Sequence, residues 1–151
     1  MEPQAVILVG IQASGKSEFY RRRFFDTHVR INLDMLKTRH REGIILRACL
    51  EAKQPFVVDN TNVTRDDRRR YVPEAKKAGF RVLGYYLSSL VDACRQRNAQ
   101  RPEGRRVPDG AIHATHARLQ VPTEEEGFDA VYYVSIAPDG AFVVEDVPGQ
   151  G

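Results

Sequence analysis

The sequence predicts an α/β domain with a mainly parallel sheet of about five strands, helices on both faces and a C-terminal β-hairpin. Three observations predict it. Short apolar runs recur along the chain and are continuous rather than alternating, as befits strands covered on both faces. Helical stretches separate those runs, the order that produces α/β layering. A glycine-rich loop, Gly10-Ile11-Gln12-Ala13-Ser14-Gly15-Lys16-Ser17, joins the first run to the first helical stretch.

The elements follow in order. Ala5 to Val9 reads as the first strand, Lys16 to Phe25 as the first helix, and His28 to Asn32 as a second strand leading into a helix from Asp34 to Ala52. Pro55 to Val58 is a buried strand. Thr64 and Asp67 have the spacing of a capping pair for a helix over Arg65 to Ala78, which Gly79 ends and Pro73 kinks by removing a hydrogen bond. Phe80 to Leu87 is a strand, and Ser89 with Asp92 repeats the capping spacing for a helix reaching Gln100. A helix over Asp109 to Leu119 precedes the strand Ala130 to Ile136, and Pro138-Asp139-Gly140 turns the chain into Ala141 to Glu145.

At 151 residues, 42% hydrophobic and 28% charged, the chain suits one domain over 1–147 with a frayed tail at 148–151. No apolar run approaches the ~20 residues of a membrane-spanning helix, and the N-terminal run lacks the basic lead and length of an export signal. Cys49 and Cys94 have no neighbouring ligands and read as packed, reduced thiols of a cytoplasmic protein. Net charge is +3, and arginine supplies 18 of the 23 basic residues. Guanidinium forks match phosphate geometry, so this balance points to phosphorylated ligands or a nucleic-acid backbone.

The loop at Gly10 to Ser17 fits G-x-x-x-x-G-K-[ST] in the strand-to-helix setting that this motif requires. Gly10, Ser14 and Gly15 let successive amides face inward on a phosphate, Lys16 reaches the β- and γ-phosphates, and the Ser17 hydroxyl can ligate Mg²⁺. Such a loop identifies the donor, ATP, and leaves the reaction open. Asp34 follows the second strand, at the sheet end where α/β folds bind ligands, and serves either as general base toward an acceptor hydroxyl or as helix cap. Asp59 ends a buried strand and can hold Mg²⁺, while Asn60 and Asn62 shape the turn and can contact the acceptor. Arg97, Arg101 and Arg106 belong to a Pro- and Gly-punctuated segment suited to a lid that brings guanidinium groups to the transferring phosphoryl. Arg95 and Arg105 read as solvated.

The segments GIQASGKS at 10–17, INLD at 31–34, VVDNTN at 57–62, CRQRNAQR at 94–101, RRVPDGAI at 105–112 and EEGFDAVYYV at 125–134 together resemble the P-loop kinase domain of the 5′-hydroxyl polynucleotide kinase family. Zeta-toxin-like P-loop kinases are wider relatives. The resemblance implies ATP- and Mg²⁺-dependent transfer to a 5′-hydroxyl end of RNA or DNA, with Asp34 at the general-base position. A separate phosphatase or ligase partner is also a candidate. One departure stands out: the family usually has arginine three residues after the base, and this chain has Lys37 there, with Arg39 two positions beyond. Both are acceptor-phosphate candidates. Two other functions share the donor loop, a kinase for a sugar, nucleoside or antibiotic hydroxyl and a non-catalytic ATP-binding regulatory module. Elsewhere, Glu124 to Glu126 reads as a solvated acidic turn, and Tyr85, Tyr86, Tyr132 and Tyr133 as core.

Overall fold

The computed structural model describes residues 2–147, so the expected tail at 148–151 lies outside the described residues. Six strands form one sheet in the order β2-β3-β1-β4-β5-β6. They are β1 (Gln4–Val9), β2 (Val29–Ile31), β3 (Phe56–Val58), β4 (Arg81–Leu87), β5 (Ala130–Ile136) and β6 (Phe142–Asp146). The first five run parallel, and β6 returns antiparallel to β5 through the expected turn, where Gly140 takes a φ of 87°.

Both faces of the sheet are covered, which explains the unbroken apolar runs. Ala5, Ile7 and Val9 of β1 face one core with Leu46, Cys49, Tyr71 and Ala75, whereas Val6 and Leu8 face another with Phe19, Tyr20 and Phe24. Tyr85 is buried in that second core and stacks on Tyr132 at a centroid separation of 5.0 Å. A third, smaller cluster of Ile11, Ala13, Val63, Cys94 and Ile112 seats the two helices that follow β4 on the phosphate loop.

Two predicted helices are divided, and the other three are shorter than expected. The stretch from Asp34 splits into α2 (Leu33–Leu36) and α3 (Arg39–Ala52), because Lys37 turns left-handed at φ 76° and Thr38 Oγ1 starts α3 by accepting from the Arg41 amide. Arg65 to Ala78 splits into α4 (Arg65–Arg69), which opens on the Thr64–Asp67 capping box, and α5 (Val72–Lys77), which opens around Pro73. Proline has no amide to lose in a first turn, so it starts a helix here instead of kinking one. The helix after β4, α6 (Val91–Ala99), is not capped by Ser89, whose hydroxyl donates to Leu87 O and accepts from the Ile11 amide. With α1 (Lys16–Arg23) and α7 (Asp109–Ala117), the helices number seven among the described residues.

The acidic turn is not simply solvated. Glu126 takes two bonds from the fully buried Arg68, at 2.7 and 2.9 Å, and Arg68 also donates to Asn62 O. A buried guanidinium stripped of its carboxylate costs roughly 3–5 kcal/mol, so this pair fixes the β5 approach to α4.

Candidate active site

The phosphate loop leaves β1 at Gly10, whose amide donates to Thr61 O at 3.0 Å. A Cβ at Gly10 would stand 2.5 Å from Ser14 Oγ, and Gly15 has a φ of 101°, so both glycines are required by the path of the chain. Lys16 Nζ folds back over the loop and donates to Gly10 O and Ile11 O, each at 2.9 Å. Burial of the ammonium lowers its pKa to about 8, against the pull of nearby Asp59. A phosphate at the loop would restore the partner that burial withholds. Ser14 Oγ is buried without a hydrogen-bond partner among the described residues.

Ser17 opens α1 and donates its hydroxyl proton to Asp59 Oδ2 at 2.9 Å. Asp59 is buried at the end of β3. Two hard oxygens facing a phosphate loop suit Mg²⁺, which takes few protein ligands and completes its shell with water and substrate phosphate. No group of three or more His, Cys, Asp or Glu side chains gathers elsewhere among the described residues. The same pair is bridged by a residue the sequence did not single out: Arg30 Nε donates to Asp59 Oδ2 at 2.9 Å and Nη2 to Ser17 Oγ at 3.0 Å. A charged residue inside the short strand Val29–Ile31 is the sequence signal that betrays it.

Asp34 is exposed and lines a cleft of about 370 Å³ with Lys16, Ser17, Asp59, Asn60 and Arg39. It does not cap α2. Asn32 does, with Oδ1 accepting from the Met35 amide at 2.9 Å, and its Nδ2 donates to Asp59 O. The Asp34 carboxylate is thereby free for the cleft. Behind it lies a node centred on buried Glu42, which accepts from Arg39 Nη1 at 2.8 Å, Tyr71 OH at 3.1 Å and Asn60 Nδ2 at 3.1 Å. Asn60 Oδ1 in turn accepts from the Leu33 amide at 2.8 Å, tying the node to the turn that carries Asp34. Burial, and then the Glu42 charge, raise the Tyr71 pKa, so its hydroxyl stays a donor.

Two residues expected at the acceptor lie elsewhere. Asn62 is buried, with φ 48° and Nδ2 bonded to Leu8 O at 2.9 Å, and it locks β1 to the turn after β3. Lys37 ends α2, is exposed, and is not among the residues that line the cleft.

The lid arginines divide by role. Arg97 Nη1 donates to Ala13 O at 2.9 Å and holds the phosphate loop from outside the cleft, together with Gln12 Nε2 on Thr115 Oγ1. Arg101 and Arg105 line the cleft. Arg106 is exposed, and its Nε donates to Arg101 O at 2.8 Å, supporting Arg101 without lining the cleft. Arg105, read as solvated from sequence, lines the cleft where Arg106 was expected, at the end of the 3-10 turn Glu103–Arg105. Arg95 pairs with Asp109 at 3.0 Å on the outer surface.

Comparison with known proteins agrees with this arrangement. The AAA domain family model matches residues 6–122. A bifunctional polynucleotide phosphatase/kinase of Schizosaccharomyces pombe is 30% identical over 135 residues, 85% of this chain and 32% of that protein, so the chain spans about a third of this relative's length. Among solved structures, a gluconokinase from Sinorhizobium meliloti 1021 superposes with a TM-score of 0.62 at 18% identity, over 89% of this chain and 83% of that one. Chaetomium thermophilum Kti12, in complex with ADP-AlF3, superposes at 0.61 with 15% identity, over 87% and 88%. The phosphate loop, the sheet order and the family match together make this chain a member of the AAA domain family, with a P-loop kinase domain.

Proposed function

We propose that the chain is an ATP-dependent kinase that transfers the γ-phosphoryl to a 5′-hydroxyl end of RNA or DNA. The observation that carries this reading is the shared cleft, which Asp34 and Arg39 line together with Lys16, Ser17 and Asp59. The S. pombe polynucleotide phosphatase/kinase and the nucleotide-bound Kti12 support the acceptor and donor assignments.

In this mechanism the loop amides and Lys16 bind the β- and γ-phosphates. Ser17 and Asp59 would hold Mg²⁺, which supplies charge neutralisation on those phosphates. The acceptor hydroxyl oxygen forms a bond to the γ-phosphorus, its proton passes to Asp34, and the bond to the β-phosphate oxygen breaks to release ADP. Arg101 and Arg105 face the charge that spreads over the transferring group. Arg39 uses only Nη1 on Glu42 and Tyr71 among the described residues, which leaves the other edge of its fork for a backbone phosphate of the acceptor. The nucleic-acid end is the partner this site is built for, with a phosphatase or ligase as a separate functional partner, in the cytoplasm. No helix among the described residues is long and apolar enough to cross a membrane.

The test is transfer of label from γ-labelled ATP across 5′-hydroxyl oligonucleotides, their 5′-phosphorylated counterparts and small hydroxyl compounds. Labelling of 5′-hydroxyl ends alone is the expected result. Efficient labelling of a sugar or nucleoside, with oligonucleotides inert, would overturn it.

A further inference from the structure

We infer that Arg30 sets the divalent-metal requirement of this site, acting as a tethered cation that competes for the two oxygens Ser17 and Asp59 offer a metal. The inference rests on reading the loop as a Mg²⁺-nucleotide site.

The geometry is specific to a bridging role. Along β2, Ile31 faces the core, which puts Arg30 on the opposite side of the strand. Its guanidinium then reaches both members of the pair at once, Asp59 Oδ2 at 2.9 Å through Nε and Ser17 Oγ at 3.0 Å through Nη2. The Ser17 hydroxyl already gives its proton to Asp59, so Arg30 occupies one of the two lone pairs by which Ser17 could ligate a cation. Asp59 Oδ2 accepts from both neighbours.

Electrostatics set the sign. A guanidinium stays charged throughout the working pH range, so it cannot relieve repulsion by losing its proton. A divalent ion arriving at Ser17 and Asp59 therefore either displaces Arg30 or bears its repulsion, and each course weakens metal binding. Exposure shows which partner can move. The Arg30 side chain is 29% exposed and has a path to solvent, while that of Asp59 is 1% exposed and is fixed at the end of β3. In return, the bridge keeps the buried carboxylate paired and the serine oriented while no metal is bound. A merely structural ion pair would give that second effect without the first.

The experiment measures binding rather than turnover. Affinity of the whole protein for N-methylanthraniloyl-ADP is followed by fluorescence across a Mg²⁺ series for wild type, Arg30→Gln and Arg30→Lys, each checked for folding by circular dichroism. Arg30→Gln is expected to lower the half-saturating Mg²⁺ concentration by about fivefold or more, the scale of one partly screened charge at this distance. Arg30→Lys keeps the charge and is expected to stay near the wild-type midpoint. An unchanged or higher midpoint in Arg30→Gln overturns the inference. So does a fall in Arg30→Lys as large as the one expected for glutamine, which decides the matter even should the glutamine variant not fold. A wild type whose nucleotide affinity ignores Mg²⁺ would instead count against the nucleotide-site reading itself.

Discussion

The donor and acceptor walls of the cleft are made from different material. On the donor side the ligand-facing groups are chiefly backbone amides and one lysine from eight consecutive residues, Gly10 to Ser17, held by a strand end and a helix start. On the acceptor side the surface is a web of side chains from separate segments, in which Glu42 gathers Arg39, Asn60 and Tyr71 across sequence gaps of up to 32 residues. A wall of backbone tolerates much change around it. A wall of linked side chains transmits a single substitution to every member. Changes on the donor side should therefore remove activity toward all acceptors, and changes on the acceptor side should alter which acceptor is used.

The largest effect expected is on the donor wall. Lys16→Ala deletes the charge that meets the β- and γ-phosphates and should lower turnover on any acceptor by roughly 10³-fold or more. The ammonium is desolvated, and relief of that burial should offset its two bonds to loop carbonyls, so the thermal midpoint should stay near wild type. Near-normal transfer by this variant would sink the donor assignment.

Asp34→Asn comes next, at roughly 10²–10⁴-fold in kcat with ADP affinity unchanged, the usual worth of a positioned base. Because Asn32 and not Asp34 caps α2, unfolding should be unaffected. A loss of stability comparable to a lost cap, about 1 kcal/mol, would return Asp34 to a structural role.

A smaller and more selective effect belongs to the acceptor node. Arg39→Ala should raise KM for a 5′-hydroxyl oligonucleotide by roughly 10-fold, as loss of one charge-assisted phosphate contact implies, while leaving KM for ATP alone. Lys37→Ala should do less, since Lys37 stands outside the cleft lining. Steady-state kinetics on both variants would expose a reversed order.

The two walls also differed in how far the sequence disclosed them. The donor loop was fully legible, because its geometry is local: the spacing of Gly10, Gly15 and Lys16 fixes the path of the chain. The strands were legible for a similar reason, as each apolar run had two faces to bury. The acceptor wall was not. Asn60 and Asn62 look alike in VVDNTN, yet one reaches Leu33 and Glu42, and the other turns left-handed at φ 48° to lock Leu8 O. Lys37 was drawn in by the family's arginine three residues after the base, and in the fold it ends α2 at a φ of 76° and stands outside the cleft lining. Glu42 and Tyr71 carry no local mark of function, since they meet each other across 29 residues and meet Asn60 across 18 and 11, and Arg30 is marked only as a charge inside a short strand. Of the three expected lid arginines only Arg101 lines the cleft: Arg97 turns to Ala13 O, and Arg105 lines it where Arg106 was expected.

The proposed function requires a polyanionic acceptor at this donor site. The most direct measurement compares kcat/KM for a short 5′-hydroxyl oligonucleotide with that for its own 5′-terminal nucleoside, each at two salt concentrations. A clear preference for the oligonucleotide that shrinks steeply as salt rises is expected, because phosphates beside the reacting end add binding energy a nucleoside lacks. Equal efficiency for the two acceptors, with no dependence on salt, would contradict it.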